Sequence, residues 1–354
     1  LIKWMLHVVT LQDIAEKAGL SKGTVSYVLS GKHRKAKISD VTCDRVRGLA
    51  REMGYRPNNL ARAVATGDSK VIGFLAGGGK GEFVQTITDG MQRVLEPAGY
   101  LLKLLPLSSQ ATEEDCERLL DTAFGQRLAG VVCHSATKNA LRRLCPSFAA
   151  SKVPFGIVSN SHLPDGVMHV GSNDAHGVAL AVAHLAELGH RHIAFLTLSP
   201  DAPFSVARLG GFMRGMAVVG LAVPDELLLC DTSSADLRTR ALELVRSSDG
   251  PTALFCNGDG LALGLMTFLA HEGIRCPEEI SLIGFGNFSF GRHTFPALTT
   301  VYEPFAEMGQ AIAEDMLLAV SRKGKTGAQA VRKTIDTHLI VRDSTGPKEA
   351  KDEG

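Results

Sequence analysis

The 354-residue chain has no run of about eighteen apolar residues, so no membrane-spanning helix is expected. Its seven cysteines, Cys43, Cys116, Cys133, Cys145, Cys230, Cys256 and Cys276, are scattered, odd in number and never spaced as CxxC. That excludes a disulfide framework or a zinc ribbon and reads as small core residues in a reducing compartment. HExxH is also absent, and with it the helical zinc-protease site. No catalytic residue, metal ligand or cofactor is expected, and an enzyme is the least favoured class. The opening stretch Leu1–His7 is too short for a secretory h-region, so the cytoplasm is the expected location. A strong net charge is missing as well, the total being +1. The charge is nonetheless uneven. Residues 1–66 hold 12 basic and 5 acidic side chains (net +7), and the remainder 26 basic and 32 acidic (net −6). A basic head on an acidic body points the head at a polyanion. A basic but functionless N-terminus is the alternative on charge alone.

The head reads as three short helices. Thr10 can cap a helix from Leu11, with Asp13 at the capping-box position and Leu11, Ile14, Ala15 and Ala18 along one apolar face. Gly19 permits a tight turn, and Ser21 can cap the next helix. In Ser21-Lys22-Gly23-Thr24-Val25-Ser26-Tyr27-Val28-Leu29-Ser30, Val25, Val28 and Leu29 face inward, which leaves Lys22, Gly23, Ser26 and Tyr27 outward. This is the spacing of a helix-turn-helix whose second helix reads base edges, a generic helical bundle being the alternative. A third helix is expected over Ser39 to Met53, with Gly54 as its stop. Between them lies the basic loop Gly31-Lys32-His33-Arg34-Lys35-Ala36-Lys37, suited to phosphate contacts. Pro57 to Gly67 fits a helix too short to be stable alone. It is either a linker or a segment that folds on DNA, where Arg62 and Val64 suit a minor groove.

From Val71 short apolar strands alternate with amphipathic helices. Strands are expected at Val71–Ala76, Leu101–Leu105, Gly130–Cys133, Pro154–Val158, Ile193–Leu198, Ala253–Cys256 and Ser281–Phe285. Helices are expected near Phe83–Pro97, Glu113–Phe124, Ala175–Leu188, Ala235–Ser247, Leu261–Glu272 and Pro304–Val320. The alternation predicts α/β architecture: two doubly wound parallel sheets divided near Ser172, with a cleft at the carboxyl ends of their strands.

Val9 to Ser21, Thr24-Val25-Ser26 and Gly54-Tyr55-Arg56-Pro57-Asn58 resemble the lactose-repressor (LacI/GalR) family. So do Asp174-Ala175-His176-Gly177, Gly189 to Phe195, Phe255 to Asp259, Pro277 to Phe285 and Pro296 to Val301 in the body. The resemblance implies an all-α helix-turn-helix head at 8–56, a hinge helix at 57–67 and an effector-binding and dimerisation body at 70–343. The body would have periplasmic-binding-protein type I architecture, its N-subdomain built from about 70–172 and 304–325 and its C-subdomain from about 173–303 and 326–343. A disordered tail is expected over 344–354. The implied DNA contacts are Thr10, Ser21, Lys22, Gly23, Thr24, Ser26, Tyr27, Lys32, Arg34, Lys35, Tyr55, Asn58, Asn59, Ala61, Arg62 and Val64. Tyr27 departs from the Arg or His of many relatives and cannot make a bidentate guanine contact. Val64 is a shorter wedge than the usual leucine.

The implied effector residues are Lys80, Phe83, Asn160, Arg208, Asp259 and Asn287. Arg208 suits a carboxylate or vicinal hydroxyls, with a surface ion pair as its alternative. Asp259 is an acceptor or a helix N-cap. Phe83 is a ring wall or a core residue. Lys80 lies in Gly77-Gly78-Gly79-Lys80-Gly81-Glu82, an anion cradle or a plain flexible loop. Gly286 stands where relatives have Asp, unless Asn287 substitutes. His184, His190 and His192 read as structural or solvated. The function implied is a homodimeric transcriptional regulator, a repressor, that binds a near-palindromic double-stranded operator under control of a sugar, sugar acid or sugar phosphate. A sugar-binding receptor without DNA function and a corepressor-dependent or activating regulator are the alternatives.

Overall fold

The computed structural model describes residues 9–34, 36–56, 69–77, 81–108, 111–134, 137–151, 153–159, 167–231, 233–321 and 332–348. The expected hinge helix, with Asn58, Asn59, Ala61, Arg62 and Val64, therefore lies outside the described residues, as do Lys35, Lys80 and Asn160. The chain divides into two compact units after Ser69.

The first unit holds α1 (Leu11–Ala18), α2 (Lys22–Leu29) and α3 (Asp40–Glu52). Each starts where a side chain satisfies otherwise orphaned amides. Thr10 and Asp13 form a reciprocal capping box, Ser21 Oγ accepts from Thr24 N at 3.0 Å, and Ser39 Oγ accepts from Thr42 N at 3.3 Å. Gly19 ends α1 at φ 62°, a left-handed conformation that turns the chain directly into α2. Ile14, Ala15, Val25, Val28, Cys43, Val46 and Ala50 form the small core. Arg45 donates to Ala18 O at 2.8 Å, which ties α3 to the end of α1.

The second unit contains two six-stranded sheets. The first has β1 (Val71–Gly77), β2 (Leu101–Leu107), β3 (Gly130–His134), β4 (Phe155–Val158), β5 (Met168–Asn173) and β11 (Arg332–Asp336) in the order β11-β5-β4-β3-β1-β2, all parallel. The second has β6 (Ile193–Thr197), β7 (Leu228–Cys230), β8 (Ala253–Cys256), β9 (Ser281–Gly286), β10 (Thr299–Tyr302) and β12 (His338–Ile340) in the order β12-β10-β9-β8-β6-β7, with only β12 antiparallel.

Helices cover both faces of each sheet, as near-continuous apolar strands require. Against the first pack α4 (Glu82–Leu95) and α11 (Phe305–Ser321) on one side, and α5 (Glu113–Gly125) and α6 (Lys138–Ser151) on the other. Against the second pack α7 (Asp174–Glu187) and α8 (Pro203–Val218), opposite α9 (Ser234–Arg246) and α10 (Asp259–His271). No helix among the described residues is long and apolar enough to cross a membrane.

The chain passes between the two sheets three times: from β5 to α7, from β10 to α11, and from β11 to β12. The third passage corrects the expected layout. Residues 332–336, expected in the second half, form β11 on the first sheet, and only His338–Ile340 joins the second. A single residue separates the two strands, Thr337, whose hydroxyl donates to Asn173 O at 2.8 Å. So short a break leaves no gap in the sequence pattern.

The expected disordered tail is also corrected over its first five residues. Ser344 is fully buried; its hydroxyl donates to Leu282 O at 2.6 Å and accepts from Thr299 N at 2.8 Å. Gly346 O lies 3.0 Å from His190 Nε2, Thr345 Oγ1 lies 3.0 Å from His184 Nε2, and Lys348 N donates to Leu188 O at 2.9 Å. Polar composition suggested solvent, but these groups find partners on the second half. Ser344→Ala is expected to lower stability by about 1–3 kcal/mol, because Leu282 O and Thr299 N lose a buried partner. Urea unfolding of the variant checks this, and a loss below about 0.5 kcal/mol would contradict it.

Candidate functional site

Two surfaces carry the expected chemistry. On the head, Val25 and Val28 hold α2 against the core and turn Lys22, Gly23, Ser26 and Tyr27 to solvent, Tyr27 being 48% exposed. Ser21 and Thr24 also sit at this surface but are engaged with each other, Oγ to Oγ1 at 2.9 Å. Thr10 is exposed within its capping box. Lys32 and Arg34 are exposed in the loop before α3, and Tyr55 is half-buried against the core. Gly19-Leu20-Ser21-Lys22-Gly23 also spells GxSxG. A nucleophile elbow needs a strand before the serine, whereas Ser21 follows α1 and caps α2.

In the body, the described candidates Phe83, Arg208 and Asp259 lie where segments of the two halves meet. Arg208, on α8, is 6% exposed. Its Nε donates to Asp174 Oδ2 at 2.8 Å, its Nη2 to Glu303 Oε2 at 2.8 Å, and its Nη1 to Asn257 Oδ1 at 3.3 Å. Its guanidinium lies 3.5 Å from the ring centre of Phe285 and 5.1 Å from that of Phe204. The surface ion-pair alternative is thus replaced by a buried pair with two carboxylates. Asn257 in turn donates to Thr197 and Ser205 at 2.9 and 2.6 Å. Burial raises the Glu303 carboxyl to about 7, and Asp174 pushes it the same way against the pull of Arg208.

Asp259 is fully buried and is not the N-cap of α10, a place Gly258 takes. Its Oδ1 accepts from Thr300 Oγ1 at 2.5 Å and its Oδ2 from Phe288 N at 2.7 Å. These bonds hold the segments after β9 and within β10, and they partly offset the upward shift that burial imposes on its pKa. Asn287 does not stand in as an open acceptor: its Oδ1 accepts from Arg342 Nη2 at 2.5 Å. Gly286 has φ 126°, a conformation open to glycine, and a Cβ there would meet the Phe288 ring at 3.1 Å.

Phe83 lies in an aromatic row. Its ring centre is 5.1 Å from that of His134 and 5.9 Å from that of Phe305, which stacks on Phe288 at 6.1 Å. The row joins α4, the end of β3, the start of α11 and the loop after β9. Beside it Glu82, at the start of α4, accepts from Ser289 N at 2.9 Å and from Ser289 Oγ at 2.7 Å, bridging the two halves. Sequence reasoning gave no site role to His134, Asp174, Glu303 or Glu82. His134 Nδ1 lies 2.7 Å from Val158 O, an acceptor, so Nδ1 carries the proton and Nε2 presents a lone pair. Burial lowers its pKa to about 4, which keeps it neutral. The available signal was its place at the carboxyl end of a central strand.

His184, His190 and His192 bind Thr345, Thr252 with Gly346, and Asp249 O respectively, a structural role.

Residues 10–58 match the family model described as bacterial regulatory proteins, lacI family, and residues 182–345 the periplasmic binding protein-like domain. The chain is 30% identical over 348 residues to the HTH-type transcriptional regulator AscG of Escherichia coli, covering 95% of this chain and 98% of that protein. It is 29% identical over 324 residues to the HTH-type transcriptional repressor PurR of Vibrio atlanticus, covering 89% and 92%. Among solved structures, a lac repressor dimer bound to operator and an anti-inducer superposes with TM-score 0.80 at 23% identity over 96% of this chain and 99% of that one. The transcriptional regulator CelR in complex with cellobiose superposes with TM-score 0.69 at 25% identity over 95% and 99%.

Proposed function

The chain belongs to the LacI family of bacterial regulatory proteins, and from that premise we propose that it is a homodimeric repressor, without catalytic activity, whose operator affinity is switched by a small molecule held between the two halves of its body. The observation that carries the DNA half is the solvent face of α2: Lys22, Gly23, Ser26 and Tyr27 stand outward on a capped helix of the width a major groove admits. Thr10, Ser21, Thr24, Lys32, Lys35, Arg34 and Tyr55 are proposed to position the head on phosphates, with Asn58, Asn59, Ala61, Arg62 and Val64 at the operator centre. The expected place of action is the cytoplasm, on the nucleoid when bound. Edge strand β2 leaves Leu101 and Leu104 more than half exposed, an apolar strip that supports pairing with a second copy.

The effector is proposed to lie against Phe83 and above Arg208. Because two carboxylates already engage Arg208, a neutral, hydroxyl-rich ligand suits this floor better than a sugar acid or sugar phosphate.

Selection from random duplexes with the full chain tests the reading. An enriched near-palindrome supports it, and no enrichment at low salt contradicts it. On the selected site, Tyr27→Ala is expected to relax preference at one half-site position, by about 1–3 kcal/mol, with the salt slope nearly unchanged. A uniform loss with a shallower slope would assign Tyr27 to phosphate instead.

A further inference from the structure

Arg208, Asp174 and Glu303 meet where the chain passes between the halves of the body. Asp174 begins α7 directly after β5, and Glu303 lies between β10 and α11. One guanidinium faces two carboxylates there, all three withdrawn from water. The hydroxyl oxygen of Ser172 lies 2.6 Å from Asp174 Oδ1 and 3.3 Å from Glu303 Oε1. A hydroxyl has one proton to donate, and the shorter contact takes it. Toward Glu303 Oε1 the same hydroxyl makes only the longer and weaker contact, so Glu303 receives less compensation for its burial than Asp174 does. Glu303 Oε2 accepts from Arg208 in either case.

We propose that Glu303 is a positioning residue that stands in this joint as a neutral carboxylic acid, one guanidinium being matched by one carboxylate, and that loss of its proton loosens the joint between the first and second crossovers. With the proton in place the cluster holds one cation and one anion. Without it the joint buries an excess negative charge, which separation of the crossovers and entry of water relieve. Among the described residues, the charged groups acting on Glu303 are Arg208 from α8 and Asp174 from α7, while Asp259 from α10 acts on Arg208. The folded chain holds this proton between the ordinary value of 4.5 and about 7. The unfolded chain has released it there, so stability falls as pH rises through that window and levels off above it. Any opening or closing of the two halves would have to bend the same crossovers, so the joint would link proton uptake to such a motion. The regulatory meaning of that link rests on the function proposed above, whereas the proton and the joint are measured without DNA or effector.

The test compares the full chain with Glu303→Gln, whose amide oxygen can still accept from Arg208 and which has no proton to lose. Infrared difference spectra between about pH 6 and about pH 8.5 should show loss of an un-ionised carboxyl band in the wild type and not in the variant. Over the same interval the thermal midpoint of the wild type should fall more steeply. Amide exchange in peptides covering residues 168–176 and 299–306, corrected for its intrinsic pH dependence, should rise severalfold in the wild type only. A merely structural Glu303 would offset the variant's midpoint equally at every pH. Matching infrared differences in the two proteins, or parallel midpoint curves, would overturn the proposal. If Glu303→Gln does not fold, labelling decides in the wild type: the band must move with carbon-13 glutamate, and one that moves only with labelled aspartate overturns it.

Discussion

Arg208→Ala is expected to destabilise the body by about 3–5 kcal/mol, the range for stranding buried charge by removing one partner. Asp174 and Glu303 lose their cation at once: Asp174 accepts from Arg208 at 2.8 Å and Glu303 at 2.8 Å, both buried, and Glu303 is charged once the pH is above about 7. Packing is lost too, because the guanidinium lies 3.5 Å from the centre of the Phe285 ring. Urea unfolding measures the loss. Its pH dependence identifies the cause. Stranded carboxyls take up protons, so the deficit relative to wild type should shrink from about pH 8 to about pH 6. Restoring neutrality should recover much of the stability, since an apolar or neutral triad of similar volume replaces a buried ion pair at little cost. Arg208→Met combined with Asp174→Asn and Glu303→Gln is the variant that tests it. A single-variant loss below about 1 kcal/mol, independent of pH, would place Arg208 among surface-like pairs and remove the basis for reading this cluster as the keystone of the crossovers.

The partners of Arg208 show what a sequence hides. Asp174 is 34 positions away and Glu303 95, and no local pattern links them. Local signals served well where one short segment decides its own conformation. The caps at Thr10 and Ser21 and the turn at Gly19 lie within a few residues of the amides and helix ends they serve, and all were readable. Strands β1, β3, β4, β6, β8 and β9 stood out for the same reason, each being a short apolar run between polar segments, whereas the interior strands β5 and β10 were not among those expected.

Tertiary packing overrode local reading elsewhere. Helix α8 was not among the expected helices, and it contains Gly210, Gly211 and Gly215, residues of low helix propensity. Yet a Cβ on Gly211 would lie 2.7 Å from Ala175 Cα, so this glycine lets α8 close against α7. Helix α6 encloses Pro146 and was passed over. The Arg208 position was legible from the resemblance, but its engagement by Asp174 and Glu303 was not. Asn287 likewise looked available until Arg342, 55 positions on, was placed beside it.

Gly309→Ala and Gly264→Ala should have effects of opposite sign, although both place the same methyl group in a helix of the body. Alanine is intrinsically favoured over glycine there by about 0.5–1 kcal/mol. Gly264, on α10, has no neighbouring atom within 4 Å of a built Cβ, so its substitution should stabilise by about that amount. Gly309, on α11, would bring its Cβ to 2.3 Å from Ile87 O on α4, and Gly90 on α4 reciprocates at 2.1 Å from Ala306 O. The neighbours are backbone, so no side-chain rotation relieves the clash and the two helices must part. Overpacking of this kind costs about 1–3 kcal/mol or more, which outweighs the propensity gain. The consequence reaches the site, because α11 begins at Phe305, two residues after Glu303, and Phe305 carries the aromatic row to Phe83 and Phe288. Gly309→Ala should therefore lower the urea midpoint and weaken the response to any small molecule that stabilises the wild type, while Gly264→Ala raises the midpoint and leaves that response intact. Equal shifts in the two variants would mean that α4 and α11 are not in close contact, and the position of Phe305 and Glu303 would then need another anchor.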